Sequence, residues 1–199
     1  MQKKIINSIM KFIKNNGNYD EIKLAEIKYG LEGLYLTITK LIVIFGLAIL
    51  LNILKEVLIF LLIYNVIRTT SFGLHATKSW ICLLSSTLIF IIVPLICKFV
   101  YLNIYIKIIL GIILIILFYK NAPADTKKRP IVNPKRRLFF KYISVIITII
   151  FICLSIYLKN NFMSNCFILS LVVQAFLISP LVYKIFRLPY NNYLNYKTI

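Results

Sequence analysis

The sequence has few acidic residues and few of the residue types that build metal sites. Only 6 of its 199 residues are Asp or Glu, against 24 Lys or Arg, and it contains a single histidine. Its four cysteines show no C-x-x-C spacing, so the sequence offers no support for a zinc site or a redox pair. We therefore expect neither a bound metal nor a cofactor.

Charged residues of both signs are scarce in this chain. They make up 15% of the residues, whereas 60% are hydrophobic, and the mean hydropathy is +0.87. No ordinary water-soluble domain of this size has that balance, which excludes disorder, a soluble enzyme and a secreted disulfide scaffold. The composition predicts an all-α, multi-pass transmembrane helical bundle. The net charge of +18 serves orientation in the bilayer, contact with anionic lipid headgroups or an acidic partner.

The first 33 residues mix charged and apolar residues and contain no signal-peptide core. We interpret residues 1–33 as an amphipathic segment of two interfacial helices, the second covering residues 20–32, with a break at residues 15–18. A cytosolic helical hairpin is the alternative interpretation. We expect a single membrane domain over residues 1–199, in which residues 185–199 form a cytoplasmic tail.

Six apolar runs follow the amphipathic start and predict a bundle over residues 34–184. The runs cover residues 34–51, 57–67, 80–97, 104–119, 142–158 and 166–183. Roughly 20 apolar residues are needed to cross a bilayer, so the run at 57–67 either crosses or lies re-entrant or buried among other helices. We expect about six membrane-embedded helices.

The distribution of basic residues predicts the orientation of these helices. With six crossings and both termini in the cytoplasm, 19 of the 24 Lys and Arg residues fall in inner segments, as the positive-inside rule requires. The predicted location is therefore the cell membrane, with both termini cytoplasmic. This topology also places His75 and the basic loop at residues 120–141 on the same side of the membrane.

His75 and Cys82 lie seven residues apart between the second and third apolar runs. Imidazole can take a thiol proton, and the thiolate can then attack a carbonyl. On one continuous helix the two residues would be ~10 Å apart along the axis at ~1.5 Å per residue, so a catalytic pair needs a loop. Gly73 suits such a turn, and Ser79 is a candidate N-cap that makes Cys82 the third helical residue. The alternative is that Cys82 is a small buried hydrophobe and His75 a polar residue at headgroup level.

The loop between the fourth and fifth apolar runs carries eight basic residues, including the consecutive Lys127, Lys128 and Arg129. Prolines at positions 123, 130 and 134 predict that no regular helix passes through it. These cations either anchor the loop beside anionic lipid or form a docking surface for an acidic peptide or a wall of the active site. We expect no nucleic-acid binding, because membrane topology accounts for the cations and no recognition element is evident.

Three segments of the chain resemble the accessory gene regulator protein B (AgrB) family of membrane peptidases of Gram-positive quorum sensing. They are Lys-Tyr-Gly-Leu-Glu at 28–32; Arg68 with Gly-Leu-His-Ala at 73–76 and Cys82; and Ala-Pro-Ala-Asp-Thr-Lys-Lys-Arg-Pro-Ile at 122–131. Length and hydropathy agree over almost the whole chain. The family often has two glycines before the histidine, where this chain has Phe72-Gly73-Leu74.

The resemblance implies a cysteine endopeptidase that removes the C-terminal tail of an AgrD-type pro-peptide. His75 would be the general base and Cys82 the nucleophile that keeps the peptide as a thioester. A Cys or Ser within the peptide then closes a thiolactone or lactone ring, the precursor of a pheromone. A thioester held among apolar helices meets little water, which favours ring closure over hydrolysis.

Other residues in or near these segments are candidates for orienting the pair or contacting the substrate. Either Glu32 or Asp125 could orient His75, or a Cys-His dyad could work without an acid. The remaining orienting or substrate-contacting candidates are Arg68, Gly73 and Ser79, and the candidates for binding the acidic tail of the substrate are Lys127, Lys128 and Arg129.

Two other classes of function compete with the peptidase. A small transporter or exporter would explain Lys40 and Lys107 within apolar runs, although single lysines also snorkel to the membrane surface. The other competitor is a non-enzymatic membrane scaffold, and both rivals predict that Cys82 is dispensable. We expect membrane lipids as partners and a homodimer as the assembly.

Overall fold

The computed structural model describes residues 2–17, 19–74, 79–126 and 130–196, without the side chains of residues 2–4. Within this part of the chain the regular elements are helices, and no strand is formed beyond one isolated bridge. This confirms the predicted all-α class. The helices are α1 (Gln2–Asn16), α2 (Glu21–Leu50), α3 (Leu54–Ser71), α4 (Ser79–Phe99), α5 (Ile104–Asn121), α6 (Pro134–Tyr157), α7 (Asn161–Ile178), α8 (Pro180–Ile185) and a 3₁₀ helix (Asn192–Asn195).

The chain divides into two compact units, Met1–Leu47 and Ala48–Ile199. The first unit contains α1, which corresponds to the first predicted amphipathic helix, and most of α2. The second predicted helix does not end before the first apolar run, because residues 21–50 form one helix of 30 residues. Gly30 and Gly33 do not interrupt it, since a glycine within a helix costs only about 1 kcal/mol relative to alanine and no proline intervenes.

Five helices within the described residues are long and apolar enough to cross a membrane: α2, α4, α5, α6 and α7. The chain is therefore a multi-pass membrane protein. Helix α3 corresponds to the weak run at 57–67 and is not among the five. Lys55, Glu56 and Arg68 lie near its ends, while its apolar interior is buried, with Val57 and Phe60 fully inaccessible. The crossing by this helix and the cytoplasmic location of the termini stay predictions.

In the second unit, α7 is the central helix and packs against α3, α4, α5 and α6. Its buried side chains include Ile168, Leu171 and Ile178, together with the polar Ser164 and Gln174. A helix in contact with several neighbours buries residues all around its axis, so its pattern is not amphipathic. The bundle therefore brings polar groups of α7 into the protein interior.

Two helices begin at prolines that the sequence had placed in a loop or within an apolar run, Pro134 and Pro180. Pro134 does not belong to a loop but occupies the first turn of α6, where the side chain of Asn133 accepts hydrogen bonds from the next amides. Proline is well tolerated there because the first helical N–H has no partner within the helix. Residues 135–137 consequently lie on α6. At the other end of the chain, the run at 166–183 is broken at Pro180, which cannot donate the helical hydrogen bond and disfavours helical geometry at Ser179.

Candidate functional site

The backbone directly before His75 is hydrogen-bonded to two other parts of the bundle. We call residues 71–74 the pre-histidine segment. The amide of Gly73 donates to the carbonyl of Ala124 at 2.8 Å, and the amide of Ala124 donates back to the first carbonyl of the segment at 3.0 Å. The amide of Leu74 donates to the carbonyl of Leu177, at the end of α7, at 3.0 Å. The segment is thus held between α7 and the loop that follows α5.

Arg68 binds the same segment from the last turn of α3. Its Nη1 donates to the carbonyl of Phe72 at 2.5 Å, and its Nη2 donates to that of Leu74 at 2.8 Å and more weakly to that of Gly73 at 3.4 Å. Hydrogen bonds from a charged donor are roughly twice as strong as neutral ones. A cation also suits the C-terminal end of a helix, where the carbonyl dipoles point. Arg68 therefore holds three consecutive carbonyls in a tight turn.

Gly73 is required by the conformation of this turn. Its φ is +107°, a region that residues with a side chain rarely adopt. A Cβ atom at this position would lie 2.6 Å from Nη1 of Arg68 and 3.0 Å from the carbonyl oxygen of Leu177. The glycine that the sequence indicated as a turn residue therefore lies where a side chain would collide with the guanidinium group and press against the end of α7.

Gln174 is a contributor to the site that the sequence analysis missed. It is fully buried on α7, and its Nε2 donates to Ser71 Oγ and to the carbonyl of Phe72, both at 2.7 Å. Its Oε1 accepts a hydrogen bond from the hydroxyl of Tyr64 at 3.2 Å. The sequence did contain a feature that could have pointed to Gln174. It is an amide side chain within an apolar run, and polar residues at membrane depth are commonly functional.

Cys82 lies on α4, three residues after Ser79, and is half-buried. Within the described residues α4 covers Ser79–Phe99, so Ser79 is itself helical rather than the N-cap residue that the sequence predicted. His75 lies outside the described residues, as do Lys127, Lys128 and Arg129, so their predicted roles stay predictions.

The start of α4 lies at the same end of the bundle as the pre-histidine segment. The side-chain amide of Asn165, at the start of α7, donates to the carbonyls of Cys97 and Val100 at the end of α4, at 3.2 and 2.7 Å. The two helices pack against each other and are therefore antiparallel. The described start of α4, which contains Cys82, consequently lies toward the end of α7, where Leu177 binds the pre-histidine segment.

Asp125 is buried, and both of its carboxylate oxygens accept backbone hydrogen bonds. Oδ1 accepts from the amide of Asn192 at 2.9 Å and Oδ2 from the amide of Tyr193 at 2.8 Å. The hydroxyl of Tyr183 donates to the carbonyl of Asp125 at 3.0 Å. Burial raises the pKa of the Tyr183 phenol, so it stays a protonated donor at neutral pH. The two amide partners lie within residues 185–199, which the sequence predicted to be a cytoplasmic tail.

The described residues also include Glu32 and the three other cysteines. Glu32 lies half-buried on α2, in the first compact unit, and its role stays a prediction. Cys97 and Cys166 are fully buried, whereas Cys153 is exposed on α6. Among the described residues, no group of three or more His, Cys, Asp or Glu side chains is arranged to hold a metal ion.

Comparison with known proteins gives the family. The family model described as accessory gene regulator B matches residues 6–178. The chain belongs to this family. The accessory gene regulator protein B of Staphylococcus aureus (strain MRSA252) is 32% identical over 180 residues, covering 90% of this chain and 95% of that protein.

Two further relatives carry the description AgrB-like. The one from Listeria monocytogenes serotype 4a is 31% identical over 186 residues, covering 92% of this chain and 90% of that protein. The one from Clostridium acetobutylicum is 28% identical over 176 residues, covering 88% and 84%. No solved structure matches the chain. The family match includes His75 and Cys82 and ends before α8.

Proposed function

We propose that this AgrB family member is a membrane cysteine endopeptidase of quorum sensing. It removes the C-terminal tail of an AgrD-type pro-peptide at the cytoplasmic face of the cell membrane and allows the remaining peptide to close into a ring. The observation that carries this proposal is the fixed backbone of the pre-histidine segment. Arg68, Ala124 and Leu177 hold that segment at the bundle end where α4 carries Cys82.

In the first step, His75 takes the proton of the Cys82 thiol, and the thiolate attacks the carbonyl carbon at the junction with the tail. The C–N bond then breaks, and the imidazolium returns the proton to the departing amine. The tail leaves with a new amino terminus, and the rest of the peptide remains bound as a thioester on Cys82. Backbone N–H groups at the start of α4 can stabilise the oxyanion that forms.

In the second step, a Cys or Ser side chain within the bound peptide attacks the thioester carbonyl. Its proton goes to His75, the bond to Cys82 breaks, and a thiolactone or lactone ring leaves the enzyme. The attack is intramolecular, so it gains from proximity, and apolar helices keep competing water away. Asp125 would orient His75, unless the dyad works alone.

The acidic tail of the substrate is the partner that suits Lys127, Lys128 and Arg129. They follow the loop that binds the pre-histidine segment, and the sequence contains only six acids with which its cations could pair. The proposal also includes membrane lipids as surroundings and a homodimer as the assembly.

A transporter is the second candidate, because Lys107 is a buried cation on a membrane-spanning helix. Its Nζ donates to Ser164 Oγ at 2.6 Å, and that hydroxyl donates to the carbonyl of Ser155. These contacts join α5, α6 and α7, and they suit a polar contact between helices as well as a conduction path. A transporter does not need Cys82, so the cysteine distinguishes the two functions.

The test is co-expression of each variant with its pro-peptide, followed by detection of cleavage on gels and of protein in the membrane. Cys82→Ala and His75→Ala should insert but not cleave, because each lacks one half of the proton transfer and attack. Cys153→Ala is the matched control, since this thiol is exposed on α6, and it should cleave normally. Cleavage by the Cys82→Ala protein would refute the assignment.

The thioester itself can be trapped with a pro-peptide whose cyclising Cys or Ser is replaced by Ala. Mass spectrometry should then find the peptide on Cys82, and hydroxylamine should remove it. If cleavage continues and rapid trapping detects no adduct, direct hydrolysis replaces the proposed two-step route.

A further inference from the structure

The C-terminal residues fold back onto the loop after α5. We call residues 186–196 the C-terminal clasp. Two consecutive amides of the clasp, those of Asn192 and Tyr193, donate one hydrogen bond each to the two carboxylate oxygens of Asp125. Asp125 is only 3% exposed. Burial of a carboxylate is costly unless its oxygens accept hydrogen bonds, so the two amides of the clasp stabilise Asp125 in its buried position.

Three further contacts hold the clasp in place. The guanidinium group of Arg137 lies 3.3 Å from the centre of the Tyr193 ring, a cation–π distance. The hydroxyl of Tyr190 donates to the carbonyl of Asn121 at 3.4 Å, and the Tyr190 ring packs edge-to-face on that of Tyr183. The clasp therefore contacts the end of α5, the loop after it and the start of α6.

Asp125, which the clasp binds, is next in sequence to Ala124, which binds the pre-histidine segment. Asp125 follows Ala124, whose amide and carbonyl both bond to that segment, at 3.0 and 2.8 Å. Ala124 itself is 2% exposed and has no side-chain hydrogen bond to restrain it. Its position depends on its backbone neighbours, and Asp125 is the neighbour with a buried, fully hydrogen-bonded side chain.

We propose that the C-terminal clasp positions the catalytic histidine, with Asp125 as the positioning residue. The inference rests on the proposed function and deepens it. The clasp fixes Asp125, Asp125 fixes Ala124, and Ala124 fixes the backbone that leads into His75. Loss of the clasp should lower kcat and leave KM for the pro-peptide nearly unchanged, because the clasp acts on the reacting geometry rather than on the substrate.

The experiment breaks the contact from each side in the full-length protein. Asp125→Asn replaces one acceptor oxygen with an amide, and Tyr193→Pro removes the backbone N–H that binds Oδ2. Leu194→Ala is the matched control, because Leu194 lies in the same 3₁₀ helix but is 70% exposed. The measurements are kcat and KM for pro-peptide cleavage and hydrogen exchange of the Gly73 and Ala124 amides.

Each of the first two variants should lower kcat about tenfold or more, since small misplacements of reacting groups cost up to about a hundredfold, with KM changed less than twofold. The double variant should be no worse than the more severe single one, because both break the contact between the clasp and Asp125; Tyr193→Pro also removes the ring that contacts Arg137. Exchange at Gly73 and Ala124 should accelerate in both variants and stay unchanged in Leu194→Ala.

Wild-type kcat in both variants, a change in KM alone, or unchanged exchange at Gly73 and Ala124 would each overturn the inference. The exchange measurement needs no substrate. If the wild-type protein itself cleaves no pro-peptide, the proposed function fails, and exchange still decides whether the clasp holds the pre-histidine segment.

Discussion

Replacement of Gly73 by alanine tests the turn before His75 with the smallest possible side chain. The added Cβ would lie 2.6 Å from Nη1 of Arg68 and 3.0 Å from the carbonyl oxygen of Leu177. Real Cβ atoms essentially never show the first distance, and the second is tighter than nine in ten of their contacts. The guanidinium group can move away, but the carbonyl belongs to the backbone of α7 and cannot move without a shift of the helix end.

Two costs add up in this variant. A residue with a side chain held at a sparsely populated backbone conformation costs about 1 to 3 kcal/mol, and here φ is +107°. Displacement of Arg68 weakens its hydrogen bond to the carbonyl of Phe72, and a bond from a charged donor contributes about 1.5 to 3 kcal/mol. The two costs sum to a local destabilisation of about 2.5 to 6 kcal/mol, concentrated in the pre-histidine segment.

The assay compares pro-peptide cleavage and thermal unfolding of purified protein in detergent. Gly73→Ala should cleave at least about tenfold more slowly than wild type, because the chain that leads into His75 shifts. Gly46→Ala is the matched control. Gly46 lies within α2, and a Cβ there would meet nothing within 4 Å, so alanine should leave stability unchanged or raise it by up to about 1 kcal/mol. Wild-type cleavage and unfolding by Gly73→Ala would refute the positioning role of the turn.

Two other changes test the buried amide and the basic cluster. Gln174→Leu should lower the free energy of unfolding by about 1 to 3 kcal/mol, since it leaves buried hydrogen-bonding groups unpaired. Tyr64→Phe removes only one hydrogen bond to that amide and should lower it less. Thermal unfolding in detergent compares the two variants, and equal effects would contradict the role of the Gln174 hydrogen bonds. Simultaneous replacement of Lys127, Lys128 and Arg129 by Gln should slow cleavage much more than any single replacement, since an exposed charge pair contributes only ~0 to 1 kcal/mol. Cleavage is measured in proteoliposomes of neutral lipid in which the orientation of the protein has been checked. The ratio of the wild-type rate to that of the triple variant should fall as the salt concentration rises. If the triple variant has the wild-type rate and salt dependence, these residues serve only to anchor the loop at the membrane.

The amino-acid sequence by itself determined the class of protein and most of its helices. Long apolar runs can satisfy their backbone within a bilayer only as helices, so the five spanning helices follow from composition. The candidate site was also predictable as a set of residues, since Arg68, Gly73 and Cys82 fall within segments that resemble one family. The boundaries at Pro134 and Pro180 were wrong because proline begins a helix as readily as it ends one.

Only the tertiary structure decided which residues hold the site together. Gln174 meets Ser71 across 103 positions of the chain, and Asp125 meets Tyr193 across 68. No local periodicity encodes such pairs, because a hydrogen bond between distant residues depends on how the helices pack. The C-terminal residues looked like a tail because polar residues at a chain end are usually solvated, and their role emerged only when the fold brought their amides to a buried carboxylate.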